Sequence, residues 1–187
     1  KSAALAEQST DSSLIKLLPK IYSNISGALT GENQFEKAIV YSKKALQFTN
    51  YPDEQRYRII LHQSIADAYV NLKQLAAAKP YLDTAVLLTG KFNNGIIKLL
   101  MFSTEGNYYD QAREYKKALA AYHMAYQYAD SNNNTYLKAE AADNLAAIYY
   151  KQKNYSEATL YATEANRIAL SVNHIKVAAS TFNTLKN

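Results

Sequence analysis

The stretch NLAAIYYKQKNYSEATLYATEA, residues 144–165, decides the fold of this chain. Its first half places Leu145, Ala146 and Tyr149 on one side of a helix, because residues three and four apart share a helical face. After a polar break, Tyr155 and Ala158 repeat this spacing. The stretch therefore predicts two amphipathic helices joined by a tight polar turn.

The same pattern recurs every forty residues along the chain. One alanine column consists of Ala38, Ala78, Ala118 and Ala158. A second column follows seven residues later, at Ala45, Ala85, Ala125 and Ala165. The first half of each unit adds a small column, Ser26, Ala66, Gly106 and Ala146, and a bulky column, Leu29, Tyr69, Tyr109 and Tyr149. These shared spacings indicate four copies of one structural unit.

Each unit is predicted to be a helical hairpin that cannot bury its apolar face alone. Small residues at fixed positions let two helices approach closely, and neighbouring aromatic residues fill the remaining space. Stacking successive hairpins then buries a continuous core. We therefore expect an all-α chain of nine or ten helices without β-sheet.

The order of small, bulky, aromatic and alanine positions resembles the tetratricopeptide repeat. That repeat has a usual period of 34 residues, whereas the period here is forty. The difference suggests longer helices, as in the long-period repeats of bacterial signalling and regulatory proteins. The resemblance implies a right-handed superhelical solenoid of antiparallel helix hairpins. It is specific for fold and says less about function, because the matching positions pack the hairpins.

We interpret the whole chain, residues 1–187, as one such array. Residues 1–11 would end a preceding repeat, followed by repeats at 12–52, 53–92, 93–132 and 133–172. Residues 173–187 would form the first helix of a further repeat or a cap, with Val177, Ala178, Thr181 and Leu185 as its apolar stripe. If that stripe is exposed, self-association through Val177, Phe182 or Leu185 is expected.

Composition narrows the function. The net charge is +5, but the 21 basic residues are spread along the chain rather than clustered, so we expect no nucleic-acid partner. No apolar run approaches the length of a membrane span. Cysteine is absent, which leaves cytoplasmic and periplasmic locations both open. The three histidines fall in different units, and glycine-rich or nucleophile motifs are missing, so neither enzyme activity, a metal nor a cofactor is predicted.

Some positions depart from the pattern. Glu105 occupies a column otherwise held by aliphatic residues, so it either makes a buried polar contact or rotates toward a cation or solvent. Pro19 and Pro80 should each bend a helix or delay its start, and His62 should pack like the aromatic residues of its column. Core or half-core packing is expected for the tyrosines of the repeat columns, namely Tyr41, Tyr69, Tyr81, Tyr109, Tyr115, Tyr149, Tyr155 and Tyr161.

The family resemblance implies that a partner binds in the concave groove lined by the first helix of each unit. Helical phase places a polar stripe there, opposite the core positions. Its members are Gln63, Asp67, Asn71, Ser103, Asn107, Asp110, Glu140, Asp143, Asn144, Tyr150 and Lys151. The lysine–asparagine clamp that holds a C-terminal carboxylate in some relatives is missing, since Ser23, Gly27, Gln63, Asp67, Ser103 and Asn107 take its places. The stripe could equally be only the solvated side of these helices.

The leading hypothesis is a protein-interaction scaffold that binds a protein or peptide segment and forms part of a larger signalling or regulatory protein. The three aspartates Asp67, Asp110 and Asp143 favour a neutral-to-basic partner, with Asn71, Asn107 and Asn144 holding its backbone. The alternative is a sensory domain that binds a small peptide or metabolite and is coupled to a kinase or DNA-binding output module.

Overall fold

The computed structural model describes residues 12–49, 55–91 and 94–186, with side chains for 14–49, 55–91 and 94–181. In these ranges all regular structure is helical, which confirms the predicted all-α class. A single turn at Ser12–Ile15 precedes nine longer helices. They are α1 (Leu18–Gly31), α2 (Phe35–Leu46), α3 (Gln55–Asn71), α4 (Leu75–Gly90), α5 (Gly95–Gln111), α6 (Tyr115–Ser131), α7 (Thr135–Lys151), α8 (Tyr155–Ser171) and α9 (Ile175–Lys186).

The chain forms two compact units, residues 1–93 and 94–187. In the first unit α1 packs on α2 and α3 on α4, and α3 also contacts the preceding pair. In the second unit the hairpins are α5–α6 and α7–α8, with α9 packed on both α7 and α8. Odd-numbered helices are thus the first helices of the repeats, and even-numbered helices are the second.

The alanine columns form the tightest part of the core. All eight alanines of the two second-helix columns are buried, and so are Ser26, Ala66, Gly106 and Ala146 of the small column. Alanine there removes steric bulk where the helices touch, so larger neighbours fill the spaces around it. The predicted core is therefore confirmed at these positions.

Gly106 and Tyr122 show most clearly how a small residue on one helix makes room for a large residue on the next. A Cβ added to Gly106 would lie 2.8 Å from Cζ of Tyr122 and closer still to Cε1 and Cδ1. The equivalent pair in the first hairpin is Ser26 and Ser42, whose hydroxyls are 2.6 Å apart. The large ring of Tyr122 thus occupies the volume that the missing side chain of Gly106 leaves.

Three-residue turns join most of the helices, and each contains one residue in the left-handed region. These residues are Asn33, Lys73, Arg113, Asn133, Lys153 and Asn173. The backbone amide of the residue after it donates a hydrogen bond to a carbonyl in the last turn of the preceding helix. For example, the amide of Glu114 donates to the carbonyl oxygen of Tyr109 at 2.8 Å. This is a Schellman ending, which usually has glycine at the left-handed position. None of the left-handed positions among the described residues is glycine.

The prolines behave differently from each other. Pro19 lies in the first turn of α1, after a break at Lys16 and Leu17, so it delays the helix as expected. Pro80 lies inside α4, which already begins at Leu75, so the expectation of a late start there is wrong. A proline deprives only the carbonyl four residues earlier of its donor. The turn before Pro80 therefore still forms.

Two packing expectations need correction. Tyr155 is 55% exposed at the start of α8, whereas Phe35, Leu75 and Tyr115 are half-buried at the same place in their helices. Its ring lies edge-on to that of the exposed Tyr150. Val177 is only 3% exposed and Thr181 is buried, since α9 packs on α7 and α8. The side chain of Val177 therefore offers almost no exposed surface for self-association. The side chains of Phe182 and Leu185 lie outside the described ones.

Glu105 avoids the core. It is half-buried and lines a shallow depression with Phe102, Tyr109 and Lys117. This arrangement corresponds to the rotated alternative rather than to a carboxylate sealed in an apolar interior. Among the described helices, none is long and apolar enough to cross a membrane.

Candidate protein-interaction site

The predicted stripe forms what we call the first-helix face, the polar side of each odd-numbered helix. In the first unit it consists of Gln63, Asp67 and Asn71 on α3. Gln63 and Asp67 are half-buried and Asn71 is exposed. The Asn71 amide donates to the backbone carbonyl of Asp67 at 2.9 Å and more weakly to its carboxylate at 3.4 Å. Asn71 is therefore partly engaged by its own helix.

On α5 the face consists of Ser103, Asn107 and Asp110, all half-buried. The Tyr122 hydroxyl donates to Oδ1 of Asn107 at 2.8 Å, which links the face to the packing beneath it. This bond uses one of the acceptor sites of the amide. Asn107 is thus a structural residue as well as a surface one.

Asp110 forms an ion pair with the next first helix. Nζ of Lys151 lies 2.6 Å from Oδ2 and 2.7 Å from Oδ1 of Asp110, and the aspartate side chain is only 19% exposed. The two residues are 41 positions apart. Both were predicted to line the groove, and the structure brings them into direct contact. The pair ties α5 to α7 near the ends of both helices.

Glu140 and Asp143 on α7 face the next first helix, α9, and the turn that precedes it. Oε1 of Glu140 lies 3.3 Å from Nε2 of His174, which stacks on Tyr136 with ring centroids 3.7 Å apart. Burial raises the pKa of Asp143, a hydrogen bond with Ser180 on α9 opposes this, and the charge of Glu140 raises the pKa further. Both acids thus contact residues at the junction between α7 and α9, where the raised pKa of Asp143 shows that burial of its charge is only partly compensated.

Asn144 and Tyr150 are the members of the face on α7 that stay available. Asn144 is half-buried, and its amide makes no hydrogen bond within the described part of the chain. Tyr150 is 39% exposed and contacts Tyr155 edge-on, with centroids 5.6 Å apart. Together they offer a donor, an acceptor and an aromatic surface to a partner.

The ion pair of Asp110 limits how the charge preference of this face can be tested. If Asp67, Asp110 and Asp143 were all exchanged for lysine, the residue at position 110 would face Lys151, and like charges at contact distance are destabilising. Such a variant would alter stability and binding together, because Asp110 helps hold two helices.

Sequence reasoning missed these contacts because it treated each helix as a separate wheel. In a stacked array, equivalent residues of successive repeats are neighbours. A search for opposite charges one repeat apart would have found the pair at 110 and 151. Similarly, spacing 26 places Lys43 against the Tyr69 hydroxyl at 3.0 Å and His123 against the Tyr149 hydroxyl at 3.1 Å.

The histidines do not form a shared centre. His62 packs against Tyr81 as expected, and burial, with the charge of Arg58, lowers its pKa. Burial also lowers the pKa of His123, with Glu157 opposing the effect. No group of three potential metal ligands occurs within the described ranges.

Antiparallel helical hairpins with a polar first-helix face define a helical-repeat protein. Residues 61–92 and 139–172 match models of the tetratricopeptide repeat. The chain therefore contains tetratricopeptide repeats in at least these two segments. Repeats of this family generally mediate protein–protein interactions, and the proteins that carry them are typically non-enzymatic scaffolds.

Solved structures support the same fold. The apo form of RapI matches with a TM-score of 0.67 at 16% identity, over 90% of this chain and 47% of that one. BtubC from P. vanneervenii matches with a TM-score of 0.72 at 16% identity, over 99% of this chain and 82% of that one. The chain thus spans about half the length of RapI, and at this identity the likeness concerns fold alone. No curated relative matches the sequence.

Proposed function

We propose that this chain binds an extended protein or peptide segment along its first-helix faces. The observation that carries the proposal is the face on α5 and α7. Its polar groups lie away from the alanine columns, and at Asn144 the donor and acceptor of the amide are unused. Asparagine suits a peptide backbone because its amide both donates and accepts.

An extended segment fits better than a compact metabolite. Two cavities of about 170 and 280 Å³ occur in the second unit, lined around Lys138 and around Phe102. Neither contains Asn144, and both are below the roughly 300 Å³ at which small-molecule sites begin. These two cavities therefore give no support to the metabolite-sensing alternative.

The partner segment is expected to be neutral to basic. The face on α5 and α7 carries the three acids Asp110, Glu140 and Asp143 against one cation, Lys151. However, contacts with Lys151, His174 and Ser180 already compensate these acids in part. Charge therefore selects against acidic segments, while asparagine and tyrosine contacts provide most of the affinity.

We further propose that the chain is the repeat region of a larger signalling or regulatory protein of bacterial type. The support is the forty-residue period and the fact that the chain spans 47% of RapI. Flanking sequence tests this point. A kinase core or DNA-binding module next to the repeats agrees with it, whereas further repeats alone favour a scaffold.

The binding proposal is tested with a partner captured by pull-down and measured by calorimetry. The variant Ser103→Ala, Asn144→Ala and Tyr150→Ala should weaken binding at least tenfold, about 1.4 kcal/mol. A matched control, Gln127→Ala, Ser156→Ala and Leu160→Ala, alters exposed residues of the second helices instead. If both variants bind like the parent, the first-helix face is not the site.

A further inference from the structure

The second unit carries a basic surface at one set of its turns. We call it the cationic rim and define it as Arg113, Lys116 and Lys153, with Tyr150 and Tyr155 beside them. Arg113 and Lys153 are the left-handed residues of the α5–α6 and α7–α8 turns, and Lys116 is the second residue of α6. All three cations are exposed.

These turns lie side by side. Asp110 is three residues before Arg113, Lys151 is two residues before Lys153, and their charged groups are 2.6 Å apart. The ring centroids of Tyr150 and Tyr155 are separated by 5.6 Å across the second turn. The ion pair therefore brings Arg113 and Lys153 to one edge of the unit.

Nearby acidic residues do not compensate the positive charges of the rim. Asp110 is neutralised by Lys151, and Glu114 by Lys117 at 2.5 Å. The other acid near these turns, Glu157, is half-buried. By contrast, Arg113, Lys116 and Lys153 have no acidic partner within the described ranges. A partner can thus meet three cations without first displacing an internal carboxylate.

Local physics disfavours each of these cations. A left-handed conformation costs a residue other than glycine roughly 1–2 kcal/mol, with asparagine among the tolerated exceptions. A cation near a helix N-terminus opposes the helix dipole, by typically about 0.3–1 kcal/mol. Lys116 occupies that position in α6, whose first turn has no acidic residue. Fold stability therefore does not explain the three cations.

Attraction of cations to helix C-termini does not explain them either. The α6–α7 and α8–α9 turns follow helix C-termini in the same way, yet their left-handed residues are Asn133 and Asn173. The last turn of α6 even carries the acid Asp130. A general helix-end effect would place cations in both sets of turns. The asymmetry indicates selection for an external partner, since residues that break local rules commonly mark function.

We propose that the cationic rim docks an acidic protein segment. Exposed tyrosines are typical anchors of protein interfaces, and Tyr155, at 55% exposed, is well placed for an apolar or proline residue between carboxylates. Nucleic acid fits less well, because proteins usually meet a phosphate chain with a longer stripe of Lys and Arg than these three cations. The rim shares Tyr150 with the first-helix face proposed above, but its three cations lie in or beside the turns, so variants of Arg113, Lys116 and Lys153 test it without altering that face.

The test measures fluorescence anisotropy of a labelled peptide of repeated Glu-Glu-Pro-Leu at low ionic strength. A Gln-Gln-Pro-Leu peptide controls for charge. The variant Arg113→Gln, Lys116→Gln and Lys153→Gln should weaken binding at least tenfold. The matched variant Lys20→Gln, Arg56→Gln and Lys91→Gln removes the same charge from exposed positions of the first unit and should change binding less than twofold.

A second variant separates binding from folding. Arg113→Gly with Lys153→Gly relieves the left-handed strain, so it should raise the unfolding midpoint while weakening the peptide at least fivefold. Equal weakening by the control variant, or equal binding of both peptides, would overturn the proposal. Tighter, rim-dependent binding of an oligothymidylate or of phosphatidylserine vesicles would assign the rim to phosphates instead.

Discussion

Gly106→Ala should destabilise the chain although alanine is the better helix former. In an open helix the exchange gains about 1 kcal/mol. Here the new Cβ would lie 2.8 Å or less from the Tyr122 ring, whereas carbon atoms pack best at about 3.5–4.0 Å. The ring is only 3% exposed, and its hydroxyl donates to Asn107. It therefore cannot withdraw without disturbing the core.

The magnitude follows from these opposing effects. Overpacking costs typically about 1–3 kcal/mol, and a strained Tyr122–Asn107 hydrogen bond adds up to about 1 kcal/mol. Subtracting the propensity gain leaves a loss of about 0–3 kcal/mol in the free energy of unfolding, with a central value of about 1.5 kcal/mol. Urea titration followed by circular dichroism at the helical band measures it, with a nearest-neighbour fit because repeat arrays unfold by units.

Two further variants make the test specific. Gly27→Ala is the matched control, because a Cβ there meets nothing within 4 Å, and it should stabilise the chain by about 0.5–1 kcal/mol. In a Tyr122→Leu background, Gly106→Ala should cease to be harmful, since the second repeat already combines Ala66 with Leu82. If Gly106→Ala unfolds later than the parent, the argument from complementary volume is wrong.

Three other predictions concern the core and the ion pairs. Ala118→Leu or Ala158→Leu should each cost roughly 1–3 kcal/mol by overpacking, and unfolding midpoints equal to the parent's would put these alanines on the wrong face. Asp110→Lys should lower the urea midpoint, and adding Lys151→Asp should restore part of the loss, with a coupling of up to about 1 kcal/mol in a double-mutant cycle. Burial raises the pKa of the Asp143 carboxyl above its ordinary value of 3.8, so the folded state binds the carboxyl proton more tightly than the unfolded state does. The free energy of unfolding therefore falls as pH rises from 3.8 through the raised pKa. Asp143→Asn should therefore be more stable than the parent at neutral pH, and urea midpoints should show the difference shrinking below pH 3.8.

The sequence predicts the fold well because its signal is periodic and local. Alanine columns, aromatic neighbours and polar breaks recur at one spacing, and each copy reinforces the same interpretation. Where a prediction failed, a local rule was applied without its neighbours. Tyr155 belongs to a column whose other members are half-buried, but its own ring is exposed and lies edge-on to Tyr150. Val177 belongs to a terminal stripe, but that stripe packs on the helices already present.

The candidate site was harder to predict, because a helical wheel shows the direction in which a polar side chain points and not the residues that it contacts. The sequence does not distinguish Asp110 from Asn144, because both are polar residues opposite the core positions of their helices. Only packing shows that Lys151 engages Asp110 while the Asn144 amide stays available.

The rim of Arg113 and Lys153 was missed for a different reason, since a helical wheel does not show backbone conformation. Once the left-handed turns are known, the long cations Lys73, Arg113 and Lys153 stand out in positions that suit glycine or asparagine. All three lie in turns between the first and second helices of a repeat, whereas Asn133 and Asn173 lie in turns between successive repeats. The kind of turn, which a helical wheel does not show, is therefore what distinguishes these cations.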